Sequence, residues 1–310
     1  MKIYNSIEEF IPKFKVALTL GTFDGVHIGH QSIIEKLNEV AEKIDGESVL
    51  MTFYPHPRHV LRPNNQKLKL LSTIEERSEM LKEYGLKHFI IQEFSKDFSQ
   101  LRPDNFVKEI LVDKLCVKRL IIGYDHHFGR NREGNYEKLL ELSKLYSYEV
   151  EKINPLNYMG STVSSTIIRK KINENKFEEV RKFLGRYFSF SGKIIEGKKM
   201  GKKIGYPTAN ISVENVNKLM PNDGVYAVYI KVNSKDFMGM MNIGYNPTFD
   251  SSEKSVEVHI LDFNKDIYGL DVKVSIVEKI REEKKFLSVE DLKKNLDLDK
   301  KKVYQLLSCS

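Results

Sequence analysis

The stretch L-G-T-F-D-G-V-H-I-G-H, residues 20–30, decides how this chain is read. The apolar run 16–20 leads into it and predicts a buried strand. Behind it Ile33, Ile34, Leu37, Val40, Ala41 and Ile44 recur at helical spacing. A strand, a tight turn through Gly21, Phe23, Asp24 and Gly25, and a helix N-terminus therefore follow one another. Such a junction offers unpaired backbone N–H groups and the positive end of a helix dipole to an anion, most often a phosphate. His27 and His30 stand three apart, so on a first helical turn they face the same way. Gly29 between them leaves space for a close approach. Two imidazoles at that place suit the triphosphate of a nucleotide. The plainer alternative is two solvated histidines on a surface helix, and the glycines and Asp24 in the same turn argue against it.

Working outward, the alternation continues through the first half. Runs 48–53, 88–92, 118–123 and 148–153 read as strands. Ser72 with Glu75 reads as a capping box opening a helix that stops at Gly85. Pro103 opens another helix ending near Leu115, and residues 136–146 form a third. Strands separated by helices predict an α/β, doubly wound parallel sheet, whose ligands bind beyond the carboxyl ends of the strands. The turn at 21–25, the Y-P-H-P loop at 54–57 and the loop after Gly123 share that edge. In the last of these, G-Y-D-H-H-F-G at 123–129, Asp125 can hold an adenosine or a metal, or can be an ordinary polar turn residue. Ser164, Ser165 and Thr166 stand at the start of an amphipathic helix, where such a cluster is usually a cap. Arg169, one turn on, allows a second reading in which hydroxyls, N–H groups and a guanidinium grip a polyphosphate.

Near Gly185 the texture changes to strand after strand, which predicts two domains, 1–184 and 185–310. Runs 188–195, 224–232, 237–243, 256–261 and 272–277 read as strands of a small antiparallel β-barrel, with an amphipathic C-terminal helix at 289–307. Between the first two runs Gly197, Gly201 and Gly205 alternate with Lys198, Lys199, Lys202 and Lys203. This loop can fold over a triphosphate or be a solvated lysine hairpin. In V-E-V-H-I at 256–260, Glu257 and His259 share one face of a strand, which can be the solvent face or a functional one.

The bulk numbers set the frame. The chain has 310 residues, 41% hydrophobic, with net charge +7, enough for two real cores and against wholesale disorder. The basic excess suits nucleic acid or anionic small molecules such as nucleotides. Two cysteines far apart, Cys116 and Cys309, indicate neither a disulfide framework nor a zinc site. No apolar run nears a membrane span and the N-terminus lacks a signal-peptide core, so a reduced, cytoplasmic protein is expected.

The motif G-x-F-D-G-V-H-x-G-H at 21–30 resembles the signature of the prokaryotic FAD synthetases, within the H-x-G-H nucleotidyltransferases. S-S-T-I-I-R at 164–169 is similar to that family's S-S-T-x-I-R, while His126 departs from its G-x-D-F-x-F-G loop. Pro207-Thr208-Ala209-Asn210 resembles the P-T-A-N signature of riboflavin kinases. E-V-H-I-L-D-F from Glu257, N-I-G-x-x-P-T at 242–248 and R-x-E-x-K-F through Arg281, Glu283, Lys285 and Phe286 match the same family. The resemblance implies a bifunctional enzyme that phosphorylates riboflavin to FMN and adenylylates FMN to FAD, with riboflavin, FMN and ATP as partners and Mg²⁺ as cofactor. It implies that His27, His30 and Arg169 neutralise the leaving pyrophosphate. By the same resemblance Gly201, Lys202, Gly205 and Pro207 belong to a kinase ATP loop, and Thr208 and Asn210 hold the metal. Glu257 is the implied general base, His259 is structural, and Arg281, Glu283 and Phe286 close on the flavin.

Two rivals stand beside this. An H-x-G-H nucleotidyltransferase for a nicotinamide or pantetheine substrate explains the first half but leaves 207–210 and Glu257 idle. A nucleic-acid-binding protein predicts binding that weakens steeply with salt and no turnover. The barrel strands carry no aromatic-rich recognition motif to encourage it, and no nucleic-acid or membrane partner is expected.

Overall fold

The run at 16–20 becomes β2 (Lys15–Leu20), a central strand of a six-stranded parallel sheet. The computed structural model describes residues 1–61, 68–158, 160–197, 200–245 and 254–308. The other strands of this sheet are β1 (Lys2–Tyr4), β3 (Gly46–Tyr54), β4 (His88–Glu93), β5 (Val117–Gly123) and β6 (Glu149–Ile153), in the order β1-β4-β3-β2-β5-β6. The two-residue period of a strand divides β2 between two cores. Val16, Leu18 and Leu20 pack with Val49, Met51, Ile90 and Leu120 on one face. Ala17 packs with Leu50, Phe89 and Ile121 on the other, under Ile34 and Leu37 of the helix Ile28–Lys43. Apolar cover on both faces is what a parallel sheet requires.

A small ribbon, β7 (Asn157–Tyr158) with β8 (Ser161–Thr162), follows the sheet. The barrel is then built from β9 (Phe188–Ile195), β10 (Ala209–Ser212), β11 (Gly224–Val232), β12 (Lys235–Tyr245), β13 (Lys254–Ile260) and β14 (Asp271–Arg281), all pairing antiparallel. It closes in the order β10-β13-β12-β11-β14-β9. Strand β10 has no counterpart in the sequence reading, yet it bridges β9 and β13 and so closes the wall. The helix Val289–Leu307 lays Val303 and Leu307 into a cluster with Val225, Ala227 and Met240 of the barrel.

By packing, the chain divides into compact units Met1–Ser165 and Thr166–Ser310. The end of the helix Ser165–Asn173 and the helix Phe177–Leu184 find partners within the second unit. Phe177 meets Tyr226 of β11 edge-on at 5.8 Å, and the Asn222 side chain donates to the Asn173 carbonyl at 2.8 Å. Cys116 is a free, exposed thiol, while Cys309 lies outside the described residues.

Candidate active sites

In the first unit the turn after β2 holds Gly21, Phe23, Asp24, Gly25, His27, Gly29 and His30 together, as the motif predicts. His27 is the N-cap of the helix Ile28–Lys43, its ring accepting from the His30 N–H at 3.3 Å. The two imidazoles stack with centroids 3.6 Å apart and 15° between planes, and the Phe23 ring lies 4.6 Å from His30. A Cβ on Gly29 would sit 3.3 Å from His27 Nδ1. The space that Gly29 leaves is therefore used first by the His27 ring.

The turn itself is strained. Phe23 (φ 46°) and Val26 (φ 36°) lie in the left-handed region, at a cost of about 1–3 kcal/mol each. Such a backbone persists only when its surroundings hold it, and Asp24 supplies the hold. Its buried carboxylate accepts from the backbone N–H of Leu71 and of Ser72 at 3.0 Å each, and from the Ser72 hydroxyl at 3.3 Å. The guanidinium of buried Arg77 lies 3.7 Å away. Gly25 completes the clasp: its N–H donates to Ser72 Oγ at 2.9 Å, its φ is 81°, and a Cβ there would fall 2.7 Å from Leu71 Cδ1. The Asp24 carboxylate thus braces the turn.

This corrects the capping assignment. The box that opens the helix Ile74–Glu83 is Thr73 with Glu76, not Ser72 with Glu75. Shifting the cap by one residue releases Ser72 to serve Asp24 and Gly25. The supporting residues Leu71, Ser72 and Arg77 were not read as part of the site. Nothing local marks them, because their bonds to Asp24 span nearly fifty residues of sequence.

Ser165 joins the same frame, its hydroxyl donating to the Asp24 carbonyl at 2.8 Å. Thr166 and Arg169 follow on that helix and fall in the second unit. Asp125 is exposed just past β5, beside Gly123 at the carboxyl edge of the sheet. His126 takes the place of the family's Phe without unfolding the loop. Its N–H donates to the Gly123 carbonyl at 3.3 Å, and its ring lies nearly parallel to that of buried Phe128, 6.0 Å away. Nε2 of His126 is buried without a hydrogen-bond partner, and burial pushes the imidazole pKa down to about 4.

The second unit gathers the other set. On β13, Glu257 stands opposite Asn210 of β10, and Ala209 opposite Val258. The Thr208 hydroxyl donates to Glu257 Oε2 at 3.1 Å. Gly197 is needed because the Asn210 amide fills the space that a side chain there would take. Gly201 is needed likewise against the Tyr206 carbonyl. The Tyr206 N–H returns to Gly201 O at 2.9 Å around the single helical turn Met200–Lys203, so Gly201, Lys202 and Gly205 form one tight loop before Pro207. A cavity of about 270 Å³ opens beside it, lined by Lys202, Pro207, Thr208, Phe263, Asp266 and Tyr268 among others.

His259 is buried, two residues from Glu257 on the same strand face. Its Nδ1 lies 2.7 Å from the Pro207 carbonyl, an acceptor only, so Nδ1 is the donor. Burial lowers its pKa below the ordinary value, against the opposing pull of the Pro207 hydrogen bond. Arg281 is spent on the C-terminal helix, with Nε and Nη2 both donating to buried Asp299, at 3.0 and 2.8 Å to Oδ2. Its guanidinium also lies 5.4 Å from the Phe286 ring, and the Glu283 carboxylate occupies the space over Gly244. Tyr206 donates to Asp297, and Tyr304 to Asp262 at 2.8 Å, so the helix ties down three segments around the cavity. Of the N-I-G-x-x-P-T turn, Asn246, Pro247 and Thr248 lie outside the described residues, as do Lys198 and Lys199.

A strained phosphate-type turn on a parallel sheet and a Thr–Glu pair on a closed barrel define a two-site, nucleotide-using transferase. Residues 12–167 match the FAD synthetase family model and residues 184–307 the riboflavin kinase model. The chain is 40% identical to a bifunctional riboflavin kinase/FMN adenylyltransferase of Buchnera aphidicola, over 91% of each chain. It is 38% identical to that of Listeria monocytogenes, over 91% of this chain and 89% of the other. For Escherichia coli K12 the identity is 32%, over 96% of each. A crystal structure of a Streptococcus pneumoniae protein, described as a macrolide-efflux protein, superposes at TM-score 0.87 with 32% identity, covering 97% of either chain. No helix among the described residues is long and apolar enough to cross a membrane. The chain belongs to the bifunctional riboflavin kinase/FMN adenylyltransferase family.

Proposed function

We propose that the barrel phosphorylates riboflavin to FMN and that the parallel-sheet unit adenylylates FMN to FAD, each with ATP. The observation that carries this reading is the Thr208–Glu257 pair at 3.1 Å, which a nucleotidyltransferase for any other substrate leaves without work.

In the kinase reaction the riboflavin 5′-hydroxyl attacks the γ-phosphorus of ATP. A neutral alcohol must shed its proton, and Glu257 is the acceptor. Thr208 occupies one side of the carboxylate and fixes its rotamer. Pro207 and the glycines shape the loop over the nucleotide, and Lys202 brings positive charge to the cavity. Arg281, Glu283 and Phe286 stand at the flavin side, with Arg281 set by Asp299.

The residues fit Mg²⁺. Thr208 and Asn210 offer a hydroxyl and an amide oxygen, both hard donors, and Glu257 adds negative charge beside them. No group of three or more His, Cys, Asp or Glu gathers as a metal cage among the described residues. Few protein ligands, with phosphates and water completing the shell, is the usual Mg²⁺ arrangement. When bound, the ion neutralises charge on the phosphates.

In the adenylyl reaction an FMN phosphate oxygen attacks the α-phosphorus of ATP and pyrophosphate leaves. The attacking oxygen is already ionised at neutral pH, so no base is required. Catalysis is positioning plus charge stabilisation. His27 and His30 sit where the leaving pyrophosphate develops charge. Gly21, Phe23, Gly25 and Gly29 set the backbone against the nucleotide, and Asp24 and Ser165 hold that backbone from behind. Asp125 is the proposed ligand for adenosine, and Thr166 and Arg169 keep the polyphosphate role that the S-S-T-I-I-R motif implies.

The test is flavin chromatography of the protein with riboflavin, ATP and Mg²⁺. FMN followed by FAD is the expected sequence of products. Absence of any phosphorylated flavin favours the single-activity nucleotidyltransferase.

A further inference from the structure

Pro207 presents a problem that the barrel has to solve. Proline has no N–H to give a ladder, and the pairing of β10 with β13 begins only at Ala209. The Pro207 carbonyl therefore lies beyond the reach of the sheet while its neighbour Thr208 must be held within hydrogen-bond distance of Glu257. Buried His259 meets that carbonyl through Nδ1 at 2.7 Å. The Tyr206 ring lies 5.0 Å from the imidazole and covers it, and the Tyr206 hydroxyl is in turn anchored on Asp297 of the C-terminal helix. A continuous support thus runs from that helix through two rings to the backbone next to Thr208.

We propose that His259 and Tyr206 are positioning residues of the kinase reaction, fixing the Pro207 carbonyl so that the Thr208 hydroxyl stays aimed at Glu257. The proposal rests on Glu257 being the base. Neither ring touches substrate; both act through the backbone of 207–208. Displacement of a reacting group by about 1 Å can cost on the order of 10²-fold in rate. The loss is therefore expected in kcat, with KM for ATP and riboflavin little changed.

The test uses full-length His259→Leu, His259→Asn and Tyr206→Phe, with Glu257→Gln as reference. Steady-state FMN formation, FAD formation from supplied FMN and the melting temperature are measured for each. His259→Leu is expected to lose roughly 10- to 100-fold in kinase kcat. His259→Asn should recover most of it, because the amide nitrogen of Asn takes the place of Nδ1 and still donates. Tyr206→Phe, which keeps the ring and cuts the tie to Asp297, should fall in between. FAD formation from FMN stays at the wild-type level throughout. Wild-type kcat in His259→Leu, or equal losses in the Leu and Asn variants at equal melting temperature, overturns the proposal. If His259→Leu does not fold, Tyr206→Phe decides, and an unchanged kcat there overturns it. Retained kinase activity in Glu257→Gln instead overturns the assignment of the base.

Discussion

The two proposed sites are built from different parts. In the first unit the proposed site combines a strained turn, a helix N-terminus and two stacked imidazoles, all braced from behind by the buried Asp24–Ser72–Arg77 cluster. In the second unit side chains carry the proposed chemistry, with Glu257 of β13 accepting from Thr208, the residue just before β10. The nucleophiles account for the difference. An ionised phosphate needs only to be placed, whereas an alcohol also needs a proton acceptor.

Removing that acceptor should produce the largest effect. Glu257→Gln keeps the shape and an oxygen for Thr208 yet cannot take a proton. Kinase turnover is expected to fall about 10²- to 10⁴-fold, with FAD formation from FMN intact. Full FMN formation by this variant breaks the contrast outright. On the other side, His30→Ala should leave FMN formation untouched while FMN accumulates and FAD formation drops on the order of 10²- to 10³-fold. A parallel fall of both activities would show that the sites are not separable.

Gly25→Ala addresses the brace rather than the ligands. The new Cβ meets Leu71 Cδ1 at 2.7 Å at a φ of 81°. A destabilisation of roughly 2–4 kcal/mol is expected, read by denaturant unfolding, with adenylylation lost before kinase activity. The smallest effect belongs to His126→Phe. The native imidazole pKa is pushed down to about 4 by burial. The unfolded chain, near 6.5, therefore binds more protons in between. Stability from the neutral ring is fully present above pH 6.5 and is lost as pH falls towards 4, at most about 1.4 kcal/mol per pH unit. The Phe variant should match the native protein at pH 8 and resist acid better below pH 6. Identical acid transitions would show that the ring is solvated.

The order of the chain was largely legible because its signals are local. Val16, Leu18 and Leu20 alternate, Gly21 and Gly25 mark the turn, and the helix behind repeats its apolar stripe. P-T-A-N and E-V-H likewise marked residues that the barrel brings together. What could not be read depends on distance. Strand β10 is four residues, too short for its alternation to stand out, and it is held as a strand between β9 and β13. The brace on Asp24 shows only when Leu71 and Ser72 arrive from another loop. The helices from Ser165 to Leu184 declare an apolar face but not the partner for it, so the packing division after Ser165 has no local mark in the sequence. Arg281 similarly gives no sign that Asp299 engages its guanidinium.

Mixing the two single-site variants tests the central claim most directly. Glu257→Gln and His30→Ala are incubated separately and together with riboflavin, ATP and Mg²⁺, and the flavins are separated by chromatography. The account predicts no FAD from Glu257→Gln, only FMN from His30→Ala, and FAD from the mixture, since FMN released by one protein is adenylylated by the other. A mixture of folded variants that stops at FMN, or either variant alone carrying riboflavin through to FAD at the native rate, contradicts it.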